Sequence, residues 1–426
     1  MAQARSRHEF CLATIGRDGP TSQDREAEVF RLTNPIREYP WGSATAIPDL
    51  LGTPATGRPA AELWLGAHPS APSAASTKAG ERRLDILIED DVAANLGGDV
   101  VARFGPQLPY LLKVIAVERP LSLQVHPHAE RAREGFAAED AAGIDLGDAR
   151  RNYKDRNHKP ELVYALTHFD ALSGFRAPRR AAELFAGLDA PLARALHADL
   201  VREPSFRGIR TVFRQLLDPD LRPTPDAVEA VVAACRLRLA DGSPSPRADG
   251  TVVLLGQAYP GDPGVVTSLL LNPVTLEPGE AMFVPAGGVH AYLHGTAVEV
   301  MANSDNVLRA GLTAKHIDIP ELLANVDYVA APPIRVAPEV FYGATRVFYA
   351  PVDDFELSVT TVDDDAEHAL PGRGPRILLC LEGLLGVHAA TGAGAELSRG
   401  ESVFVPASDG GLTLRGRGSV VQADVP

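Results

Sequence analysis

Cysteine and long apolar runs are scarce in this chain of 426 residues. The three cysteines, Cys11, Cys235 and Cys380, stand too far apart for a metal-chelating or redox motif, so the sequence predicts no disulfide framework and favours a reducing compartment. No segment approaches the roughly 18 consecutive apolar residues of a membrane span, and the N-terminus lacks the apolar core of a signal peptide. We therefore expect a cytoplasmic protein without a membrane segment.

A surplus of positive charge is absent as well. The 41 basic residues are outnumbered by 55 acidic ones, and the formal net charge is −14. Because nucleic acids and anionic membranes repel such a chain at long range, we expect neither as a partner. An anionic ligand must instead meet a local cluster of cations.

Lysine is the rarest charged residue, since arginine supplies most of the cations. Lysine, unlike arginine, can lose its proton when it is buried, which suits a catalytic base. Three of the lysines lie in the chemically distinctive stretches described below. The chain's lysines are Lys78, Lys113, Lys154, Lys159 and Lys315.

The length and the texture of the sequence predict several domains. Residues 1–30 are polar and punctuated by glycine and proline, so we expect a loose extension. Short apolar runs alternate with Gly, Pro and Asp over 31–176, which indicates β-structure, and the same texture returns over 251–334. Residues 177–250 carry apolar residues at helical spacing, which predicts a helical insertion whose last ten residues form a flexible loop. A final β-rich block covers 335–426.

One sequence unit occurs twice. GEAMFVPAGGVHAYLHG begins at Gly279 and GESVFVPASDGGLTLRG begins at Gly400, and eight of their 17 aligned positions are identical. A "PGE" or "GE" start, an apolar strand, a proline and a turn of small residues are typical of the double-stranded β-helix called a cupin. The sequence therefore predicts a mainly β protein with tandem cupin domains and an α-helical insertion. His290 of the first copy is replaced by Gly411 in the second, so we expect no metal ligands in 335–426.

The first stretch with chemical potential is SLQVHPH (122–128). Gln124 and His126 are two residues apart, so on a strand their side chains project from the same face. A lone histidine on a strand is more often packed or solvated than a ligand. This stretch therefore carries a metal-site hypothesis only together with others.

The second stretch is YKDRNHKPELVYAL (153–166). Pro160 restricts Lys159 to an extended conformation, and Glu161 opens an apolar strand. Burial of an unpaired carboxylate is costly, and metal coordination would offset the cost. The alternative interpretation is a solvated charged loop.

The third stretch continues the first cupin copy through to residue 318. His290 follows a Gly-Gly turn, which permits close approach of the backbone. Asp305, Arg309 and Lys315 follow in a segment too polar for a core. His294 and His316 also lie nearby, and nothing in the sequence selects among these histidines by geometry.

Nitrogen and oxygen ligands without sulfur suit zinc or another divalent transition metal, particularly where a coordination position stays open for water or substrate. The residues that would form this set are Gln124, His126, Glu161 and His290.

The chain resembles the type I mannose-6-phosphate isomerase family. The resemblance covers Arg31 to about Ile334, and the last cupin unit matches in layout more than in motif. His128, the missing acid before Trp41 and the PAGG turn depart from the family pattern without touching a ligand position. The matching stretches are EYPWGS (38–43), AELWLGAHPSAPS (61–73), LPYLLKVIAVERPLSLQVHP (108–127), YKDRNHKPE (153–161), GEAMFVPAGGVHAYLHG (279–295) and VEVMANSDNVLRAGLTAKHID (298–318).

The resemblance implies one zinc ion per chain, held by the four residues named above. It implies interconversion of mannose 6-phosphate and fructose 6-phosphate through an enediol, with Arg309 as the active-site arginine. It places Ser122 and Lys159 in the sugar-phosphate pocket and Lys113, Asp305 and Lys315 near it. Which lysine acts as base and which binds phosphate stays open. We expect a monomer, with a dimer as the alternative.

Two other functions remain alternatives to the isomerase. A cupin dioxygenase with redox iron would use a histidine-rich ligand set, against which stand the amide of Gln124 and the neighbouring cations. A non-enzymatic sugar-binding cupin would keep the fold without the chemistry. Against that second alternative stand four intact residues, Glu161, His290, Arg309 and Lys159.

Overall fold

The computed structural model describes residues 28–364 and 366–426. The extension expected over residues 1–30 therefore lies outside the described residues, except for its last three. Two of those three, Val29 and Phe30, are buried, and Phe30 opens the first strand. These two residues belong to the packed structure and correct the expected boundary.

Residues 28–176 form most of the first half. The strands are β1 (Phe30–Thr33), β2 (Ile36–Arg37), β3 (Glu62–Leu65), β4 (Ala74–Thr77), β5 (Gly80–Arg83), β6 (Tyr110–Val117), β7 (Gln124–Val125), β8 (Glu161–Ala165) and β9 (Phe169–Phe175). The helices are α1 (Ala46–Leu51), α2 (Leu84–Asp90), α3 (Val92–Leu96), α4 (Gly98–Phe104) and α5 (Ala129–Ala141).

A helical block then interrupts the β-structure. Its helices are α6 (Pro178–Phe185), α7 (Pro191–Arg202), α8 (Phe206–Leu217), α9 (Pro225–Ala240), α10 (Pro246–Ala258) and α11 (Gly264–Thr267), followed by a 3₁₀ turn at Ser268–Leu270.

Strands return for the rest of the chain. They are β10 (Leu271–Leu276), β11 (Ala281–Val284), β12 (His290–Ala302), β13 (Leu308–Arg309), β14 (Ile334–Val336), β15 (Glu339–Phe341), β16 (Thr345–Phe348), β17 (Glu356–Val362), β18 (His368–Leu370), β19 (Arg376–Ala389), β20 (Gly394–Ser398), β21 (Ser402–Val405) and β22 (Leu412–Asp424). Helix α12 (Ile319–Asn325) and a 3₁₀ turn at Ala407–Asp409 lie between them.

Two large antiparallel sheets organise these strands and confirm the mainly β prediction. The first has the order β14-β11-β8-β12-β6-β3-β2, and the second contains the corresponding order β1-β21-β19-β22-β17-β16-β15. Each half of the chain therefore folds into the same arrangement, as the repeated sequence unit indicated.

The two halves exchange an edge strand. Strand β1 precedes β2 in the chain but pairs with β21 of the second sheet, and β14 precedes β15 but pairs with β11 of the first. Strands β4 and β5 extend the second sheet beyond β1. The expected boundaries assigned 31–176 wholly to the first domain. They need correction at these strands, because strand pairing depends on partners far away in sequence.

The helical insertion is longer than expected, and the flexible loop predicted over 241–250 is wrong for residues 246–250. Helix α10 begins at Pro246, within that loop, and Asp249 in its first turn is fully buried. The Asp249 carboxylate accepts hydrogen bonds from Arg238 Nε at 2.8 Å and from Ser243 Oγ at 2.6 Å. The charged hydrogen bond from Arg238, which lies on α9, fixes the first turn of α10 against that helix.

The insertion packs beside the strands that carry the functional residues. Its buried apolar side chains form one cluster with Leu123 and Val125 at β7 and with Val289 and Ala291, which flank His290. Within residues 28–364 and 366–426, no helix combines the length and the apolar character needed to cross a membrane.

The strand exchange predicts an energetic coupling between the two ends of the chain. The rings of Phe30 and Phe404 stack with centroids 6.5 Å apart, and both side chains are buried. We expect Phe30→Leu and Phe404→Leu each to lower the free energy of unfolding by about 1 kcal/mol or more. In a double-mutant cycle measured by urea denaturation, they should couple by about 0.5 kcal/mol or more.

The control for this cycle is Phe213→Leu, which changes a buried ring in the insertion core. Distant substitutions add within about 0.5 kcal/mol, so Phe213→Leu and Phe404→Leu should be additive. Additive behaviour of the Phe30 and Phe404 variants would contradict the exchange.

Candidate metal centre and active site

Three buried side chains converge at one end of the first sheet. Glu161 and His290 are the first residues of β8 and β12, and His126 follows β7. His126 Nε2 lies 3.1 Å from Glu161 Oε1, and His290 Nε2 lies 3.5 Å from Glu161 Oε2. A nitrogen or oxygen atom of each of the three side chains lies within 4.8 Å of the others, close enough to share a metal ion.

The hydrogen bonds of the two histidines leave their Nε2 atoms available to a metal. The Nδ1 atoms lie 2.7 Å and 3.0 Å from backbone carbonyl oxygens, those of Asn306 for His126 and Gly288 for His290. A carbonyl only accepts, so Nδ1 carries the proton and Nε2 carries a lone pair. His126 Nε2 makes no hydrogen bond in spite of its proximity to Glu161. A buried nitrogen lone pair that faces a carboxylate is the arrangement of a metal site.

The electrostatics keep these ligands in their metal-binding forms. Burial lowers the pKa of His126 to about 4 and lowers that of His290 as well, so both rings are neutral at pH 7. Burial alone would raise the pKa of Glu161, but Lys159, followed by the two histidines, outweighs it and holds that pKa well below the ordinary value. The centre therefore offers two neutral imidazoles and one carboxylate.

Two further contacts orient the Glu161 carboxylate. Tyr292 donates a hydrogen bond to Oε2 at 2.8 Å, and Lys159 Nζ lies 3.2 Å from Oε1. Both side chains are close in the chain to a ligand, since Tyr292 is on β12 with His290 and Lys159 lies two residues before Glu161. The carboxylate thus has a fixed direction before any ligand binds.

Gln124 is brought to the same place by strand register. It is the cross-strand partner of His290 on one side and of Arg309 on the other. Its side chain is half-buried and lies on the wall of the neighbouring cavity. Of the other two histidines that the sequence left open, His294 points to solvent from β12 and His316 is exposed on a loop, and neither belongs to the described ligand cluster.

A turn and a loop hold the two histidines in place. Gly287 has φ +79°, and a Cβ there would lie 2.6 Å from His128 Nε2, so the turn before His290 requires glycine. Asn306 fixes the loop whose carbonyl holds His126. Its amide donates to the carbonyl oxygens of Asp155 and Asn157 at 2.9 Å each.

A cavity of about 460 Å³ adjoins the metal centre. It gathers all the residues that the sequence predicted for catalysis or substrate binding, although they come from three separate stretches of chain. These residues are Lys113, Ser122, Lys159, Asp305, Arg309 and Lys315. Its aromatic lining is Tyr39, Trp41, Trp64 and Tyr259.

Lys113 is a buried cation in the wall of this cavity. Its Nζ lies 3.4 Å from Glu299 Oε2 and 3.9 Å from Glu62 Oε2, and 4.9 Å from the centroid of the Trp64 ring. Burial alone would lower the pKa of Lys113, but the glutamates, Glu62 first, outweigh burial and raise it above its ordinary value. Lys113 therefore keeps its proton.

His68 lies beside the side chain of Asp305. The backbone N–H of Ser70 donates to His68 Nδ1 at 3.3 Å, so this nitrogen is an acceptor. Burial lowers the pKa of His68, which leaves a neutral ring with its proton on Nε2. That Nε2 lies 3.5 Å from Asp305 Oδ2, and the ring thus directs the carboxylate toward the cavity.

Comparisons with known proteins agree with this site. The model "Phosphomannose isomerase type I, catalytic domain" matches residues 29–178. Mannose-6-phosphate isomerase of Escherichia coli (strain K12) is 42% identical over 400 residues, covering 92% of this chain and 98% of that protein. The chain belongs to the type I mannose-6-phosphate isomerase family.

More distant relatives and solved structures agree with that membership. Mannose-6-phosphate isomerase of Bos taurus is 32% identical over 412 residues, covering 89% of this chain and 94% of that protein. The Salmonella typhimurium mannose 6-phosphate isomerase, solved bound to its substrate fructose 6-phosphate and zinc, is 39% identical. The alignment covers 94% of this chain and 100% of that one with a TM-score of 0.84. These neighbours confirm the predicted cupin fold.

In this family member, strand register shows what replaced the metal centre in the second unit. Val284 of β11 pairs with Glu161, and its sequence counterpart Val405 of β21 pairs with Arg376. Arg376 therefore occupies the position of Glu161, just as Gly411 occupies that of His290. An arginine has no lone pair for a metal, so both substitutions remove a ligand.

Backbone carbonyl groups hold the Arg376 side chain in the interior of the second unit. It is fully buried and donates to the backbone carbonyl oxygens of Gly372, at 3.2 Å, and of Gly410. Asp424 on β22 and Glu356 on β17 continue the line of cross-strand neighbours that begins at Arg376. The second unit thus keeps buried ionisable groups where the first keeps its metal centre, although of a different kind.

Sequence reasoning did not single out several residues that support the first centre. Glu62 and His68 lie in AELWLGAHPSAPS, and Glu299 and Asn306 lie in the stretch after His290, so their motifs were identified but not their roles. Tyr259 comes from the helical insertion, where the sequence gives no signal.

The geometry predicts a metal content that depends on His290. Purified protein should hold about one equivalent of a divalent metal, measured by elemental analysis after gel filtration. His290→Ala removes one ligand and should lose most of that metal. His294→Ala, which changes an exposed histidine on the same strand, should retain it. Full metal content in His290→Ala would contradict the assignment.

The buried row of the second unit predicts a pH-dependent stability. Burial, followed by the neighbouring Glu356, raises the pKa of Asp424 to about 8, although Arg376 and Gln422 oppose the shift. The folded chain binds this proton more tightly than the unfolded chain does. Its stabilising contribution is complete below the unfolded pKa and is lost as the pH rises through the folded pKa.

We therefore expect the free energy of unfolding to fall between about pH 5 and pH 8, by up to about 1.4 kcal/mol per pH unit from this group. Asp424→Asn should flatten that slope in urea denaturation. Asp363→Asn, an exposed carboxylate of the same unit, should leave it unchanged. A slope that stays the same in Asp424→Asn would show that Asp424 is ionised throughout.

Proposed function

We propose that this protein is a zinc-dependent aldose–ketose isomerase that interconverts mannose 6-phosphate and fructose 6-phosphate. The observation that carries the proposal is the position of the metal centre against a cavity lined by three lysines and an arginine. Membership of the family supports it, since the chain spans nearly the whole length of the curated enzymes that it matches. A sugar phosphate is the anionic ligand that such a local cluster of cations would bind.

The reaction moves a proton between C1 and C2 of the sugar while the carbonyl moves in the opposite sense. It requires a base next to these carbons, a group that polarises the carbonyl oxygen and a positive charge near the oxygens of the enediol. Zinc held by Gln124, His126, Glu161 and His290 would supply the polarisation. The remaining requirements fall to side chains of the chain itself.

Lys113 and Lys159 are suited to different tasks. Lys113 is enclosed by Glu62 and Glu299 and keeps its proton, so we assign to it a fixed positive charge in the cavity wall. Lys159 lies beside the ligand Glu161, with Nζ at 3.2 Å, and also lines the cavity. We assign to Lys159 the transfer of the proton between the two carbons. Asp305, directed by His68, stands ready to accept a hydrogen bond from a substrate hydroxyl.

Arg309 and Lys315 supply charge nearer the entrance. Burial lowers the pKa of Arg309 without changing its protonation at pH 7, and its guanidinium faces the cavity next to Gln124. We assign to it the stabilisation of the enediolate oxygens. Lys315 is exposed at the rim, where it and Ser122 would bind the phosphate group.

The ligand types alone would also suit a different chemistry. Two histidines and one carboxylate form the ligand set of many iron oxygenases. The amide of Gln124, the cations that line the cavity and 42% identity to a mannose-6-phosphate isomerase favour the isomerase instead.

We also propose that the protein acts in the cytoplasm as a monomer.

A coupled assay with mannose 6-phosphate tests the function, and Arg309 tests the mechanism. Turnover should require metal and disappear with a chelator. If Arg309 acts mainly in the transition state, Arg309→Lys should lower kcat and kcat/KM together by about 100-fold with little change in KM. The lysine keeps the charge but loses the planar fork of donors.

Arg399→Lys is the matched control, because Arg399 is an exposed arginine of the second unit and should leave all constants unchanged. A higher KM with kcat intact in Arg309→Lys would move Arg309 from catalysis to phosphate binding. Absence of turnover in metal-loaded wild-type protein would overturn the proposed function.

A further inference from the structure

A second cavity, of about 1220 Å³, lies between the second unit and helices α3 and α4 of the first half. Its wall includes Gly411 and Ala407, which are the counterparts of His290 and Ala286 in the repeated sequence unit. The cavity therefore opens at the end of the second sheet that corresponds to the metal centre of the first. The isomerase function does not use it.

Two buried carboxyl groups stand side by side in the wall of this cavity. Glu356 on β17 and Asp424 on β22 are directly opposed cross-strand partners, so their side chains share one face of the sheet. Their residues are 8% and 2% exposed. Hydroxyl groups that enter the cavity would meet two acceptors a few ångströms apart.

The Glu356 carboxyl group lacks a donor among the residues that the structure describes. Asp424 accepts a hydrogen bond from Gln422 Nε2 at 2.9 Å, but among residues 28–364 and 366–426 Glu356 makes neither a side-chain hydrogen bond nor an ion pair. A carboxyl group that is more than nine-tenths buried is normally satisfied, because its burial without a donor costs free energy. Its position in the wall of a cavity indicates that the donor comes from a ligand.

Aromatic rings stand at the same cavity. Tyr349 and Tyr342 line it and are 47% and 82% exposed, so their faces are available to a ligand. Aromatic faces and carboxyl acceptors in one cavity complement a sugar ring, which has an apolar C–H face and a rim of hydroxyl donors.

The charges in the wall discriminate against a phosphorylated sugar. Among the described lining residues, Arg373 is the one with a permanent positive charge, whereas the exposed Asp99 and Glu367 carry negative charge. The catalytic cavity has the opposite balance, with three lysines and an arginine against two acidic residues. An anionic phosphate would be repelled here and attracted there.

We propose that the second cupin unit binds a neutral, unphosphorylated sugar in this cavity, with Glu356 and Asp424 accepting from its hydroxyls and Tyr349 contacting its ring. The duplicated unit thus retains a binding cavity after losing its metal ligands. The site acts separately from the catalytic cavity.

Saturation-transfer NMR with mannose and with glucose on the full-length protein tests the proposal, because it detects weak binding. We expect transfer to at least one of these sugars at millimolar concentration. Transfer should persist in His290→Ala, whose catalytic centre is disrupted, and in the presence of mannose 6-phosphate. It should fall several-fold in Tyr349→Ala and in Glu356→Gln.

Glu382→Gln is the matched control, since Glu382 is an exposed glutamate of the same unit outside the cavity, and it should bind as the wild type does. Tyr349→Ala changes an exposed side chain, so it should keep the wild-type thermal transition and isomerase activity. The proposal is overturned by no transfer at tens of millimolar sugar, by transfer that both Tyr349→Ala and Glu356→Gln retain, or by transfer that mannose 6-phosphate abolishes.

Discussion

The burial of one carboxylate governs the architecture of the first unit. Glu161 is 3% exposed at the start of a fully buried strand, where an ionised carboxyl group is stable only among compensating partners. His126, His290, Lys159 and Tyr292 are those partners; His290 and Tyr292 come from β12, His126 follows β7 and Lys159 lies just before β8. The turn at Gly287 and the loop at Asn306 exist in their present form because they hold two of these partners in position.

Duplication explains why the second unit has the same frame and a different interior. The sheet order is the same in both halves, and the apolar positions of the two repeated strands correspond. The positions of the metal centre changed their chemistry, since Gly411 replaces His290 and Arg376 replaces Glu161, with Asp424 and Glu356 beside it. The sheet tolerates such a change of side chains, because its backbone hydrogen bonds do not depend on which side chains face the cavity.

The exchange of β1 and β14 makes the two units interdependent. Each edge strand completes the sheet of the other half, which covers an edge that would otherwise present unpaired backbone groups. The cluster that contains Phe30, Phe283 and Phe404 joins both sheets through their buried faces. The fold of the catalytic unit therefore depends on the second unit, although that unit contributes no residue to the metal centre.

The sequence by itself determined the mainly β class, the helical insertion, the duplication and the residues of the candidate site, because these follow from local patterns and from motifs that keep their order. Only the tertiary structure decided which sheet β1 joins, because the sequence of a four-residue strand does not specify the strand with which it pairs. It alone decided that Lys113 keeps its proton, because Glu62 and Glu299 reach it from two other strands. It also decided that a helix begins within a segment whose Gly, Ser and Pro content predicted a loop. Asp249 lies in the first turn of that helix, and its buried carboxylate is paired with the Arg238 guanidinium of the preceding helix. In each case the deciding interaction joins residues from different elements, and no pattern within a single element specifies it.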